Sequence, residues 1–138
     1  MEIKIATEEE IKYCYKIMHQ IREDLSEVDF LSTILEQIKN GYKVVYVTEN
    51  NEVICVAGFT ISHKLAWGKY LYIEDFVTDK SVQFFGAAKA LMDFIKIYAK
   101  QQNCNSIHLD SSVIREEAHK FYLSQDMKID SHHFSIKI

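Results

Sequence analysis

The chain has 138 residues, of which 48% are hydrophobic and 26% charged, and its formal net charge is −4. This length and composition fit one globular domain and exclude a disordered or fibrous chain. No apolar run approaches the roughly 20 residues that cross a bilayer, and the amino terminus lacks the apolar core of a signal peptide. We therefore expect a cytoplasmic protein with no membrane partner. A mildly acidic chain without a block of basic residues also argues against nucleic acid as a partner.

The first elements follow from a strand pattern and a helix start. Residues 3–6 predict a short strand, and Thr7 with Glu10 three residues later forms a capping box. The next segment is predicted to be an amphipathic helix, because its face-forming residues recur at spacings of three and four. These residues are Ile11, Cys14, Tyr15, Met18, Ile21 and Arg22.

A second helix and an antiparallel sheet are predicted next. Apolar residues between 30 and 38 share one helix face, and Asn40-Gly41 is a typical helix end. The β-branched and aromatic runs 42–49 and 53–62 are joined by Asn50-Asn51, which predicts a hairpin. The run 69–78 extends that sheet.

The second half of the chain predicts a strand crossover. A helix begins at Gly86, a strand covers 106–110, and this order implies a right-handed connection and a parallel strand pair. A further helix over 115–125 and a last strand over 132–138 complete the chain. The sequence thus predicts a single α+β domain over residues 1–138 with a mixed sheet.

The cysteines and histidines form no pattern that predicts a metal site. Cys14, Cys55 and Cys104 are odd in number, far apart and without a Cys-x-x-Cys pair, so they are interpreted as free thiols. The six histidines lack a ligand spacing such as His-x-x-x-His. We therefore expect neither a disulfide framework nor a bound metal.

The start of the helix at Gly86 is a candidate anion site. Free backbone N–H groups and the positive end of the helix dipole favour an anion there, and small residues let a phosphate approach. The stretch is Gln83-Phe84-Phe85-Gly86-Ala87-Ala88. Taken alone, such a turn is more often explained by small residues that pack on a sheet.

Two motifs give this turn a context. An acidic strand precedes it, with Asp75 eight residues before Gln83, and the spacing Gln83-x-x-Gly86-x-Ala88 follows. Further along comes Arg115-x-x-Ala118-x-x-Phe121-Tyr122-x-x-x-Asp126-Met127. These residues and the order of elements resemble the GNAT (GCN5-related N-acetyltransferase) superfamily, in particular its small single-domain bacterial-type members.

The resemblance implies an α/β/α layered fold. Its mixed, mostly antiparallel sheet would have about six to seven strands and about four helices, with a V-shaped splay between the fourth and fifth strands. Acetyl-CoA would be the co-substrate, its pantetheine arm paired with strand backbone and its pyrophosphate held by N–H groups of residues 84–89. The implied cofactor-binding residues are Phe76, Val77, Thr78, Gln83, Phe84, Phe85, Gly86, Ala87, Ala88, Lys89 and Arg115.

The implied reaction is direct attack of an amine on the thioester. A primary amine has a pKa near ~10, so a carboxylate must take its proton. Glu74 is favoured for this by resemblance, with Asp75 as the alternative; adjacent strand residues point to opposite faces unless a bulge intervenes. Tyr122 would protonate the departing sulfur. The acceptor would be a small-molecule amine or a peptide, and homodimers are common in the family.

Several residues depart from the family pattern, among them Gln83 in place of the commoner arginine and Asp126 in place of a glycine at a helix end. Phe84 and Phe85 stand where small or polar residues are usual, and Arg115 replaces an asparagine that usually helps to hold the cofactor arm. Arg115 could instead reach a phosphate or a substrate carboxylate. These departures keep open an alternative, a non-catalytic acyl-CoA-binding or regulatory module with a degenerate site.

Overall fold

The computed structural model describes residues 1–82 and 86–138, so Gln83, Phe84 and Phe85 lie outside the described residues. Its strands are β1 (Glu2–Ile5), β2 (Lys43–Glu49), β3 (Glu52–Lys64), β4 (Gly68–Thr78) and β5 (Ser106–Leu109). Its α-helices are α1 (Tyr15–Met18), α2 (Glu27–Lys39), α3 (Gly86–Gln101) and α4 (Glu116–Ser124), and a 3-10 helix covers Glu8–Cys14. The chain divides into two compact units, Met1–His108 and Leu109–Ile138.

The strands form one mixed sheet in the order β1-β2-β3-β4-β5. The first four are antiparallel neighbours, and β4 and β5 are parallel. The predicted hairpin is confirmed, because Asn50 and Asn51 both have positive φ, at 52° and 64°. Two such residues in a row give the turn a twist that matches the strands it joins.

The described residues form five strands, so the expected six to seven is wrong. Residues 132–138, predicted as the last strand, form neither strand nor helix. A strand requires a ladder of hydrogen bonds to a neighbouring strand, and alternation in the sequence supplies only its two faces. The alternating pattern of residues 132–138 was therefore not sufficient to predict a strand there.

The first helix is also different from the prediction. The capping box is confirmed, since a Glu10 carboxylate oxygen accepts a hydrogen bond from the Thr7 N–H at 2.9 Å. The chain then forms a 3-10 helix, and only after it the four-residue α1. The 3-10 helix buries Ile11 and Cys14, and their spacing of three is the one that aligns side chains in such a helix.

Helices cover both faces of the sheet in the first unit. Val44, Tyr46, Val56 and Val77 pack with the 3-10 helix, α1 and α2 in one hydrophobic cluster. On the other face the ring of Phe59 contacts that of Tyr98 on α3, with centroids 5.4 Å apart. The strands are therefore buried from both sides, which explains why β2 has four consecutive buried residues.

Two helix ends in the chain agree with the sequence. Gly41 follows α2 with φ at 97°, and Asp126 follows α4 in the second unit with φ at 68°. Asp126 thus adopts the left-handed conformation that a glycine would take at less cost. No helix among the described residues is long and apolar enough to span a membrane.

All three cysteines are free, as predicted. Burial raises the pKa of Cys14 to about 12 and that of Cys55 to about 11. Both thiols are therefore protonated and unreactive at neutral pH.

Candidate active site

A β-bulge separates the two adjacent carboxylates of β4. Gly58 on β3 lies opposite Asp75, but the next residue, Phe59, lies opposite Ile73. Glu74 is therefore an extra residue with no counterpart on β3. In a regular strand Glu74 and Asp75 would point to opposite faces, and a bulge removes that constraint.

Asp75 is held by two donors from different parts of the first unit. Arg22, which follows α1, donates from Nη2 to one carboxylate oxygen at 2.6 Å. The Tyr42 hydroxyl, before β2, donates to the other oxygen at 2.5 Å. Only 12% of the Asp75 side chain is exposed. Both oxygens thus have a short partner, and the carboxylate faces the cation of Arg22.

The side chain of Tyr42 passes over the Cα atom of Gly58 to reach Asp75. A Cβ atom added at Gly58 would lie 1.6 Å from the Tyr42 hydroxyl oxygen and 2.2 Å from the ring carbon that bears it. Tyr42 is only 2% exposed. Burial, and next the charge of Asp75, raise its pKa, so its hydroxyl stays protonated and acts as a donor.

Glu74 lies on the wall of a cavity of about 610 Å³, a size suited to a small molecule. Burial, and then the charge of Asp75, raise the pKa of its carboxyl group. Polar side chains of α2 form the facing wall, and β3 and β4 form the other. The lining residues are Ser32, Thr33, Glu36, Gln37, Asn40, Tyr42, Thr60 and Glu74.

Glu74 and Asp75 are therefore on the same face of the sheet. Asp75 bonds to Tyr42, and Glu74 lines the cavity together with Tyr42. The bulge interrupts the usual alternation of the strand, so two adjacent residues face the same side. Of the two acids, Glu74 is the one directed to the cavity, whereas Asp75 has both oxygens engaged.

Asp79, the residue that follows β4, accepts two hydrogen bonds. Its carboxylate accepts from the Ser81 N–H and from the Gln20 side chain, each at 3.1 Å. The hydrogen bond from Ser81, and then that from Gln20, lower the pKa of Asp79. Gln20 also accepts from the Lys80 N–H at 2.9 Å. The end of the first helical segment thus fixes the chain as it leaves β4.

The structure places the expected cofactor-binding residues on two adjoining elements. Phe76, Val77 and Thr78 are the last residues of β4 and pair with Ala57, Val56 and Cys55 of β3. Gly86, Ala87, Ala88 and Lys89 form the first turn of α3. Predictions for Gln83, Phe84 and Phe85 fall on residues outside the described part of the chain.

The alanines of this turn have a packing role. Ala87 and Ala88 are 0% and 3% exposed, so larger side chains there would collide with the core. Lys89 pairs with Asp93 one turn later at 2.8 Å, and both side chains are largely exposed. Packing alone therefore accounts for the small residues at 87 and 88, and a phosphate role for this turn stays a prediction.

Tyr122 and Arg115 belong to the second unit. Tyr122 lies on α4 with its ring edge-on to Phe121 at 5.6 Å between centroids. Arg115 is the residue that precedes α4, and its side chain makes no capping hydrogen bond there. Their roles towards Glu74, which lies in the first unit, stay predictions.

Arg22 and Tyr42 were not identified as site residues from the sequence. Arg22 did carry a signal, because it is a charged residue on the otherwise apolar face of the first helical segment. A charge on such a face indicates a partner opposite it. Tyr42 carried none, since a tyrosine that begins a strand is ordinary.

Two comparisons with known protein sequences match most of the chain. A family model described as the Acetyltransferase (GNAT) family matches residues 9–127. YhdJ of Bacillus subtilis (strain 168), an uncharacterized N-acetyltransferase, is 26% identical over 120 residues, which are 86% of this chain and 84% of YhdJ.

Two solved structures share the fold at low sequence identity. Aminoglycoside N-acetyltransferase AAC(6')-Iy in complex with CoA superposes with a TM-score of 0.89 at 13% identity, over 99% of this chain and 93% of that one. A Trypanosoma brucei acetyltransferase has a TM-score of 0.82 at 20% identity, over 99% of both chains.

Proposed function

Because the chain belongs to the GNAT family of acetyltransferases, we propose that it moves an acetyl group from acetyl-CoA to a primary amine. The acceptor is a small molecule or a peptide amino group, and it binds in the cavity between α2 and the sheet. The observation that supports this most is Glu74, a carboxylate displaced by a bulge onto the wall of that cavity.

Glu74 acts as the base in this proposal. It takes a proton from the bound ammonium group, directly or through water, so that nitrogen has a lone pair. The nitrogen then attacks the thioester carbonyl carbon, the carbon–sulfur bond breaks, and Tyr122 gives its hydroxyl proton to the departing sulfur. The second proton that the nitrogen loses as it becomes an amide returns to Tyr122 through water. A base with a raised pKa suits this role, because it accepts a proton more readily than an ordinary glutamate.

Acetyl-CoA binding is proposed for β4 and the start of α3. The Asn105 N–H donates to the Lys69 carbonyl at 2.7 Å, which fixes where β5 begins beside β4. β5 has four residues, whereas β4 continues from Lys69 to Thr78. This difference in length supports a splay between the two strands, into which the pantetheine arm would fit.

The pyrophosphate would then lie at the amino end of α3, a helix of 16 residues whose dipole favours an anion. The arm would pair with Phe76, Val77 and Thr78, and the phosphates with the residues that lead into and begin α3. Arg115 is a further proposed phosphate contact.

Acetyl-CoA at millimolar concentration tests the binding step. We expect a higher melting temperature, since a ligand that binds only the folded state must stabilise it. Release of the CoA thiol is then followed with n-butylamine, putrescine and a peptide with a free amino terminus. Glu74→Gln should lower kcat by about 10²-fold or more, whereas Glu9→Gln, an exposed glutamate elsewhere, should not. Binding without thiol release for any amine would instead indicate a non-catalytic acyl-CoA-binding module.

A further inference from the structure

We propose that Arg22 and Tyr42 are positioning residues that hold Asp75 and the bulge, so that Glu74 alone serves as the base. This inference rests on the proposed role of Glu74. Asp75 then has a structural role, because it is the anchor to which two otherwise distant segments attach. Two neighbouring carboxylates with the same chemistry thereby have different functions.

Arg22 contacts both Asp75 and Glu74, the two acidic residues at the bulge. Nη2 of Arg22 donates to the Asp75 carboxylate at 2.6 Å and lies 3.4 Å from the backbone carbonyl oxygen of Glu74. One guanidinium group therefore contacts both residues of the bulge. Nη1 of Arg22 donates to the Ile21 carbonyl at 3.2 Å, which orients the guanidinium group from its own side.

Tyr42 holds the opposite side of the same carboxylate. Its hydroxyl donates a hydrogen bond to the second carboxylate oxygen of Asp75. Its ring occupies the space that a side chain at Gly58 would fill. Gly58 is also the residue opposite Asp75 in the sheet. The absence of a side chain at 58 thus admits the ring that fixes the carboxylate at the bulge.

The charges around Glu74 show why Arg22 matters for a base. Asp75 on β4 is paired with Arg22, Glu36 on α2 is paired with Lys39 at 3.6 Å, and Tyr42 is a neutral donor. Without Arg22, the charge of Asp75, which raises the pKa of Glu74, would lose its counter-ion. A like charge disfavours ionisation of a carboxyl group, and a lost cation acts in the same direction.

The test is a charge cycle over Arg22 and Asp75. Arg22→Gln removes the cation, Asp75→Asn removes the anion, and Arg22→Gln/Asp75→Asn removes both. Arg22→Lys restores the charge, and Lys12→Gln, an exposed lysine on the 3-10 helix, is the matched control. The pKa of Glu74 is measured by carbon-13 NMR of its carboxyl group, assigned with Glu74→Gln. The pH dependence of kcat/KM is measured with n-butylamine and putrescine.

We expect Arg22→Gln to raise the pKa of Glu74, and with it the acidic limb of kcat/KM, by about one pH unit. Asp75→Asn should move both downwards, and the double variant should resemble Asp75→Asn rather than Arg22→Gln. Arg22→Lys should stay near the parent protein, and Lys12→Gln should not move either quantity.

Arg22→Gln overturns the inference if it lowers the melting temperature but leaves the pKa of Glu74 in place, because Arg22 would then be only structural. If Arg22→Gln does not fold, Arg22→Lys and Asp75→Asn decide. The two proposals remain separable, since the NMR titration does not require turnover. A titration that behaves as expected without acetyl transfer to any amine would reject the proposed function and retain the network.

Discussion

Gly58→Ala is the sharpest perturbation of the network around the bulge. The added methyl carbon would lie 1.6 Å from the Tyr42 hydroxyl oxygen and 2.2 Å and 2.9 Å from two carbons of its ring. Separations below 3.0 Å do not occur between real Cβ atoms and their neighbours. Either Tyr42 or β3 must therefore move. Because Tyr42 is buried and bonded to Asp75, the displacement breaks that hydrogen bond.

The expected cost has two parts and one offset. Overpacking a core costs about 1–3 kcal/mol, and a buried carboxylate oxygen that loses its donor costs about 1–3 kcal/mol more. Alanine in place of glycine within a strand returns about 0.5–1 kcal/mol. The net loss is then about 1–5.5 kcal/mol, which lowers the melting temperature by about 3–19 °C for a chain of this size.

The assay is thermal and urea unfolding of Gly58→Ala in two backgrounds. Tyr42→Phe keeps the ring carbons of the clash, so Gly58→Ala should remain destabilising there. Tyr42→Leu removes them, so Gly58→Ala should become neutral or stabilising by up to about 1 kcal/mol. Gly41→Ala is the control for backbone strain alone: φ is 97° and no atom lies within 4 Å of the added carbon, so it should cost about 1 kcal/mol in every background. An equal effect of Gly58→Ala with and without the Tyr42 ring would refute the reasoning.

Four further outcomes follow from the site and the pKa shifts. Gly86→Val should abolish acetyl-CoA binding in a calorimetric titration while the melting temperature stays close to that of the parent; unchanged affinity refutes the phosphate site. Tyr122→Phe should lower kcat by about 10²-fold or more at unchanged acetyl-CoA affinity, and equal turnover rejects it as the acid. Burial and the neighbouring carboxylate raise the pKa of Glu74, so its charge disfavours folding above that pKa. Glu74→Gln should therefore raise the melting temperature at neutral pH, and this gain should vanish as the pH falls. A hydrogen bond from Lys4, then the Thr7 amide, lowers the pKa of Glu10 to about 2; Glu10→Gln should destabilise above the usual carboxyl pKa, with the difference lost as pH falls through about 2.

The properties of neighbouring residues were sufficient to predict most of the strands and helices. Asn50 and Asn51 tolerate positive φ, so the hairpin follows from two residues, whereas the register of β2 with β3 also depends on a bulge between Val47 and Thr48. The end of α2 at Gly41 and the cap from Thr7 to Glu10 are equally local. The type of the first helix was harder, because a spacing of three fits one turn of either an α-helix or a 3-10 helix.

The candidate site depended on contacts that are distant in sequence. Arg22 and Asp75 are 53 residues apart, and Tyr42 and Asp75 are 33 residues apart. No periodicity connects such positions, so the sequence could propose both acids but could not choose between them. The bulge has the same origin: it depends on which residues of β3 and β4 are opposite each other, and on Gly58 leaving room for a ring from another element.

The choice between Glu74 and Asp75 is in the end a question of partners rather than of acidity. Both carboxylate oxygens of Asp75 are engaged, one by the Arg22 guanidinium and the other by the Tyr42 hydroxyl, and these contacts anchor the bulge. Glu74 has the opposite environment, since burial and the adjacent charge favour its protonated form. A base must bind a proton without disturbing the structure around it, and in this pair that condition is met by Glu74.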